Sequence, residues 1–397
     1  MITSWTHVFP LFEFMKHDYA RYVDIWRTCF YLWTVHKNGI VVTWNHSAQA
    51  FTFNEFSNER FDNRLSWPHQ NITFEFDGRS IQTAETYYAA KRNTYKIFEN
   101  ILSDQNRWWL NGHVLCNTAD TWTSRNEELR KILEKVCREL CKSEVFFFNR
   151  RDFPQILKNS RNSGHSSFRA PEIPMFYAQE KYSVISYYGS DNHNDKLWPP
   201  PEHWRLYTQE LFTPMHTKLK KAVFRGTFTG PFDNNLRLQL CTQKNIDIFD
   251  VGLTKWTQRC RITNGLVHFK GRPDNVPLVD ALTPIEQSKY AIIIYVPGHV
   301  ASMRLGWQLL TGSVTLIVKD PNCVAPDQWI NRISTSSGPL TEDEHYVTCS
   351  MANVEDRVYG LLNNPNLMKK ISENSFKWAT ECFREETMIE YCKSLII

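Results

Sequence analysis

The chain has 397 residues and no uninterrupted apolar run long enough to cross a membrane as a helix, so no transmembrane segment is expected. It also has no dense block of lysine or arginine. Its net charge of +4 is spread along the chain, too weak a field to attract nucleic acid or an anionic membrane. Cysteine and histidine nowhere show the spacing of a structural zinc site. No Gly-x-Gly-x-x-Gly and no Gly-Lys-Ser/Thr occurs, which argues against the usual dinucleotide and P-loop sites. There is no internal repeat and no low-complexity tract. Near the N-terminus Glu13, Lys16 and Asp18 interrupt the apolar stretches, so a secretory signal is not expected. The C-terminal Ser394-Leu-Ile-Ile397 is no retention signal, and the two glycosylation sequons at Asn45 and Asn71 then read as chance. These absences together predict a cytoplasmic protein. The ten cysteines follow no disulfide framework; Cys137 and Cys141 share a helical face, where packing is the expectation and a metal site the alternative.

What is present is ordinary for a globular protein, at 42% hydrophobic and 22% charged residues, and the length predicts two domains. Aromatics are plentiful, with 14 Trp, 16 Tyr and 25 Phe. Most belong in the core. A surplus would suit a site that stacks rings or sugars.

The organising stretch is 289–320, KYAIIIYVPGHVASMRLGWQLLTGSVTLIVKD. Ala291 to Tyr295 is an Ile-rich run of strand length, and Pro297-Gly298 breaks it. His299 to Thr311 repeats Val300, Met303, Trp307 and Leu310 at helical spacing, and Gly312 is a suitable stop. Ser313 to Val318 reads as a second strand, so the stretch predicts a βαβ unit with parallel strands. The first helical turn leaves N–H groups without partners beside the positive end of the helix dipole. Gly298, Ala301 and Ser302 are small enough to admit a ligand there, and Arg304 has a guanidinium that can fork onto phosphate. Close packing is the competing reading of the same small residues.

Other junctions repeat the pattern. Leu129, Ile132, Leu133, Val136, Cys137 and Leu140 form one stripe on a helix opened by the capping box Ser124-Arg-Asn-Glu127 and ending near Lys142. Glu144 to Phe148 is a buried strand running into Asn149-Arg-Arg-Asp152. Ligands bind beyond the carboxyl ends of strands in open α/β sheets, so Asp152 stands where catalytic groups stand. Pairing with Arg150 or Arg151, or capping, is its structural alternative. Ala222 to Phe224 is a strand ending at Arg225-Gly-Thr227, with a helix over Asn234 to Thr242 carrying Arg237. For Arg225 a carbonyl bond or buried ion pair is the alternative to ligand binding. Trp204 to Lys221 is predicted helical, Ile246 to Val251 and Tyr346-Val347 are predicted strands, and the chain closes on helices at Val354 to Asn363 and Leu367 to Leu395. Before residue 115 only Ala50 to Phe56 and Ile72 to Phe76 read as strands and Thr83 to Leu102 as a helix.

Three of these stretches, FFFNRRDFPQ at 146–155, FRGTFTG at 224–230 and KYAIIIYVPGHVASMRLGWQLLTGSV at 289–314, resemble glycosyltransferase family 90. That family contains the Rumi-type protein O-glucosyltransferases and the capsule-associated xylosyltransferases. The likeness covers roughly residues 115–395. It implies an α/β fold of the GT-B type: two Rossmann-like domains facing a cleft, here an acceptor-side domain over 1–200 (1–115 unassigned) and a nucleotide-sugar domain over 201–397 with a terminal amphipathic helix. It also implies inversion without a bound metal. Asp152 matches the family's general base, His299, Val300, Ala301, Ser302, Met303 and Arg304 match its diphosphate loop, Thr227 falls where a serine contacts nucleotide, and Arg237 matches a further donor-binding arginine. Arg225 lies beside that contact. Tyr295-Val-Pro-Gly298 departs from the Arg-Gly pair of the animal enzymes, which leaves the donor sugar open. The family occurs in large DNA viruses as well as cellular organisms, and the absent addressing signals suit a viral member in a host cytoplasm. The expected function is transfer of a hexose or pentose from a UDP-linked donor to a hydroxyl on a protein or glycan, with no nucleic-acid partner. The alternative is a non-catalytic structural or binding protein of a virion or surface assembly that keeps the scaffold.

Overall fold

The protein was analysed as a computed structural model, which describes residues 39–55, 74–76, 79–81, 123–149 and 184–396, less 192, 194, 209, 231–234, 244, 256–260, 264–265, 269–276, 299 and 324. The chain divides into two compact units, one made of Met1–Trp198, Cys260–His268 and Cys392–Ile397, the other of Pro199–Arg259 and Phe269–Tyr391.

In the first unit a five-stranded sheet holds β1 (Gly39–Asn45), β2 (Ala50–Glu55), β3 (Glu144–Asn149), β4 (Val184–Ser186) and β5 (Lys196–Leu197), in the order β2-β1-β3-β4-β5. β1 is antiparallel to both neighbours, pairing Val42 with Phe53 and with Phe146, whereas β3, β4 and β5 run parallel. The sheet is therefore mixed, not the wholly parallel arrangement that two Rossmann-like domains imply. Runs such as Ile40-Val-Val42 and Phe146-Phe-Phe148 are buried on both faces, which is why β3 shows no polar alternation. The helix α1 (Thr123–Arg138) buries Leu129, Leu133, Val136 and Cys137 as its stripe requires, but ends before Lys142. The Lys196 ammonium donates to the Leu395 carbonyl at 2.6 Å within this unit. Thr83 to Leu102 and the loop carrying Asp152 lie outside the described residues.

The second unit is built on a wholly parallel sheet of β6 (Leu219–Thr227), β7 (Phe249–Lys255), β8 (Tyr290–Tyr295), β9 (Val314–Val318) and β10 (Val347–Cys349). Its order is β7-β6-β8-β9-β10, with Ile292 opposite both Ala222 and Val314. Counted within the unit this is 2-1-3-4-5, a doubly-wound order whose direction of winding reverses between the first and third strands. The switch point thus lies between β6 and β8. Ile292, Ile294, Leu316 and Val318 fill the core with Val358, Leu361, Met368 and Ile371 from the later helices. Burying such a side chain contributes about 1.5–3 kcal/mol.

The crossovers are α2 (Leu236–Cys241) after β6, α3 (Pro284–Gln287) before β8 and α4 (Arg304–Leu309) between β8 and β9; α5 (Val354–Leu362), α6 (Pro365–Cys382) and α7 (Glu385–Ile396) close the chain. Asn364 caps α6 by accepting from the Leu367 N–H, and Pro365 sits at its permitted first position. Gly312 ends the α4 segment at φ +69°, and a Cβ there would come within 2.7 Å of the Thr213 carbonyl oxygen. Only glycine fits both demands.

Three expectations are corrected. Trp204 to Lys221 is not a helix: short 3₁₀ turns at Pro201–Thr208 and Met215–Thr217 lead directly into β6. Pro214 starts the second turn, and Lys218 is drawn into the extended region with its ammonium bonded to the Ser288 and Thr311 carbonyls. The single C-terminal helix is two, broken at Phe383–Arg384. The helix predicted from His299 begins only at Arg304 and has six residues.

Candidate functional site

The carboxyl ends of β6 and β8 bring together the chain's anticipated donor residues, with the exception of His299, which lies outside the described residues. Gly298 allows the approach: a Cβ on it would lie 2.8 Å from Thr229 Oγ1, so the loop after β8 and the loop after β6 touch backbone to side chain. Asn235 completes this corner, capping α2 at Leu238 N (2.9 Å) and donating to the Thr229 carbonyl (3.0 Å).

Each arginine has a different occupation. Arg225 on β6 forms an ion pair with Asp250 of β7 at 2.6 Å and donates to the Asp250, Phe224 and Asp280 carbonyls at 2.8, 3.1 and 3.2 Å. Burial works to raise the Asp250 carboxyl, but the Tyr290 hydroxyl and the Arg225 guanidinium outweigh it and hold it below its ordinary range. Tyr290, partly buried and bonded to that carboxylate, is pushed up to about 12. The ion-pair alternative for Arg225 is therefore the occupation observed.

Arg237 is buried and acts as a clamp. Its Nη1 donates to the Thr227 carbonyl at 2.9 Å, Nη2 to Val296 at 3.0 Å and Nε to Pro297 at 3.2 Å. One guanidinium fork thus joins the ends of β6 and β8. Thr227 is half-buried at the tip of β6 and contributes its carbonyl to that clamp.

Arg304 differs from both. Its guanidinium lies 5.9 Å from the centre of the Phe224 ring and donates to the Arg225 carbonyl. It has no carboxylate partner among the described residues. Burial lowers its proton affinity, opposed by the charge effect of Tyr295. A guanidinium held this way is destabilised unless an anion completes it, and it keeps donors to offer one.

The loop between β8 and α4 is held by backbone bonds and by side chains of its neighbours, with Leu305 N reaching back to Ser302 O at 3.3 Å. Val300 bridges to Ala325, and Ala301 N donates to the Ala325 carbonyl at 2.8 Å. Ser302 N donates to Tyr295 Oη at 2.5 Å, while Gln328 Nε2 donates to Ser302 O at 3.0 Å and lies 3.5 Å from Tyr295 Oη. His203 donates from Nε2 to the Met303 carbonyl at 2.9 Å, a tautomer set by Trp329 Nε1 donating to His203 Nδ1 at 2.8 Å. The N–H groups expected to lack partners in a first helical turn have protein partners at Ala301 and Ser302, where the backbone is not yet helical. Among its described residues this loop offers an anion the Arg304 guanidinium and the half-buried Ser302 hydroxyl.

Sequence reading missed Tyr295, Gln328, His203 and Trp329. The only signal was the aromatic and amide character of Gln328-Trp329, with no spacing rule linking it to residue 302. It also missed a buried chain in the first unit, in which Asn149 Nδ2 donates to Ser186 Oγ (3.0 Å) and Ser186 donates to Asp195 (2.5 Å). These groups sit at and beyond the carboxyl ends of β3 and β4. Among the described residues no group of three or more His, Cys, Asp or Glu could hold a metal ion, and no helix is long and apolar enough to cross a membrane. The seven described cysteines are free thiols, with Cys137 buried and Cys141 exposed.

No family model matches the chain. It is 25% identical over 327 residues to "Uncharacterized protein 035R" of Invertebrate iridescent virus 3, covering 75% of this chain and 29% of that protein. It is 22% identical over 466 residues to "Uncharacterized protein 179R" of Invertebrate iridescent virus 6 (99% and 39%), and 25% identical over 406 residues to "Uncharacterized protein 027R" of Frog virus 3 (90% and 40%). The chain thus spans well under half the length of these curated relatives. Similar solved structures include the C-terminal domain of the glycosyl transferase group 1 family protein LpcC from Francisella tularensis, at TM-score 0.27 and 12% identity over 50% of this chain and 96% of that one. TarM matches at TM-score 0.28 and 9% identity, over 54% and 50%. At TM-scores this low neither likeness bears on function.

Proposed function

We propose that the chain is an inverting, metal-independent glycosyltransferase that moves a hexose or pentose from a UDP-linked donor to a hydroxyl of a protein or glycan. The observation that carries this reading is Arg304, a half-buried residue whose guanidinium has no acid partner among the described residues, at the switch point of a parallel sheet. Displacing a nucleoside diphosphate builds negative charge on the leaving group. A fixed cation in a poorly hydrated site stabilises that charge without reorganising. Arg304 would counter the diphosphate, Ser302 would add a hydroxyl donor, and Arg237 would hold the Thr227 and Val296–Pro297 backbone that walls the site. Asp152, matched to the family base and outside the described residues, would take the acceptor proton as the hydroxyl attacks the face of the sugar opposite the diphosphate.

The test is UDP titration and transfer by purified protein. Asp152→Asn should abolish transfer and leave UDP affinity nearly unchanged, while Arg304→Ala should weaken UDP binding at least tenfold. Loss of nucleotide affinity in Asp152→Asn equal to its loss of transfer removes the base assignment. Unaltered titration in Arg304→Ala removes the diphosphate assignment.

A second reading, a non-catalytic structural or binding protein on the same scaffold, draws on a specific observation. Arg225 and Arg237, both expected in the donor site, are bonded to protein groups. Hydrolysis of UDP-sugars by wild type, lost in Asp152→Asn, excludes it.

A further inference from the structure

Gln328 is 1% exposed, and its side chain makes two contacts of a specific kind: Nε2 donates to Ser302 O at 3.0 Å and approaches Tyr295 Oη at 3.5 Å. Its Oε1 is buried and has no hydrogen-bond partner among the described residues. A buried acceptor left this way is destabilising. For packing alone, methionine would fill the same space without that cost. The bonds it does make converge on one loop. Tyr295 Oη accepts from Ser302 N, Gln328 Nε2 holds Ser302 O, and the neighbouring Trp329 fixes the His203 tautomer that holds Met303 O. Both backbone polar groups of Ser302 and the carbonyl of Met303 are therefore set by side chains, immediately before Arg304 leaves the loop. The six-residue α4 adds one backbone bond there, Leu305 N to Ser302 O at 3.3 Å, and Met303 makes no side-chain cap.

We propose that Gln328 and Tyr295 are positioning residues for the anion site: they preset the Ser302–Arg304 backbone so that the Arg304 guanidinium meets a nucleoside diphosphate without an ordering step. This rests on the function proposed above and adds to it the residues that determine donor affinity without touching the donor. A preset loop raises affinity by removing the ordering entropy that binding otherwise has to overcome. Loss of one such bond is then read in binding, not in folding.

The experiment compares wild type, Gln328→Met and Tyr295→Phe in full-length chain by three measurements: amide hydrogen exchange at 300–305, thermal melting, and calorimetric titration with UDP. The expected result is at least tenfold faster exchange at the Ser302 amide in Tyr295→Phe and across the loop in Gln328→Met. UDP affinity should fall about tenfold in each, the worth of one net hydrogen bond. The melting temperature of Gln328→Met should stay within a few degrees of wild type, because the orphaned oxygen leaves with the bonds. A purely structural residue would shift melting and leave affinity alone. Unchanged exchange at 300–305 in both variants overturns the proposal. Faster exchange with wild-type UDP affinity also overturns it while leaving the transferase reading intact. A wild-type chain that binds no UDP overturns that reading, and with it a donor-positioning role for Gln328.

Discussion

Arg237 and Arg304 lie at the same switch point, and replacing each by methionine should have opposite consequences for stability. Arg237 gives three hydrogen bonds to the backbone of two loops. Bonds from a charged donor are worth about 1.5–3 kcal/mol each when broken singly, but the three share one side chain and relax together, so Arg237→Met should lose about 3 kcal/mol. For a unit of roughly 150–250 residues this lowers the melting temperature by about 6–12 °C. Arg304 makes one carbonyl bond and a ring contact, together worth about 2–3 kcal/mol, and its burial without an acid costs a comparable amount. Arg304→Met should therefore melt within about 3 °C of wild type, or above it. Addition of UDP should separate Arg304→Met from wild type. At a hundred times the wild-type Kd the ligand should stabilise wild type by about 2.7 kcal/mol and Arg304→Met, at tenfold weaker affinity or worse, by about 1.4 kcal/mol at most. Differential scanning fluorimetry with and without UDP reads both effects on one plate. The reasoning is refuted if Arg304→Met loses as much stability as Arg237→Met, since Arg304 would then be a structural clamp, or if UDP raises both melting curves equally.

Burial lowers the Lys218 ammonium from its ordinary 10.5 to about 7, so between those pH values the unfolded chain holds a proton the native chain has released; stability should rise with pH across that window, and Lys218→Met should flatten the rise in urea midpoints measured from pH 7 to 10. Gly306 faces the His203 ring so closely that a Cβ would lie 2.7 Å from Nε2; Gly306→Ala should lower stability by about 1–3 kcal/mol and weaken UDP binding with it, whereas wild-type melting would show that the ring can yield. Asp152→Asn should leave the melting temperature and UDP affinity near wild type while transfer is lost, a combination that activity and calorimetry on one preparation check.

Local composition carried the central βαβ unit well. The Ile run, the Pro-Gly break and Gly312 mark their own boundaries, and β8 and β9 fall within a residue of where the pattern sets them. The same pattern misplaced the start of α4. Val300, Met303 and Trp307 recur at helical spacing, yet the backbone of 300–302 bonds to Ala325, Tyr295 and Gln328, partners that periodicity cannot see. Arg225 shows the same limit: its residue type and place at a strand end suit a ligand, and only pairing of β6 with β7 brings Asp250 to it. The break at Phe383–Arg384 has no glycine or proline to announce it, and β1 was missed in a stretch where every segment is aromatic. Arg304 was read as an anion ligand from its place in the loop; that it pairs with no carboxylate among the described residues was not legible, because that is a property of its neighbours.

Because the first unit draws on Cys260–His268 and Cys392–Ile397 as well as on the chain up to Trp198, the ribosome releases its last pieces only after the second unit has been made. An isolated fragment stopping at Trp198 would leave the Lys196 ammonium without the Leu395 carbonyl it reaches at 2.6 Å. Expression of a fragment ending at Trp198 is therefore a poor route to the first unit, and a reporter of that unit should gain protection from proteolysis during synthesis no earlier than a reporter of the second.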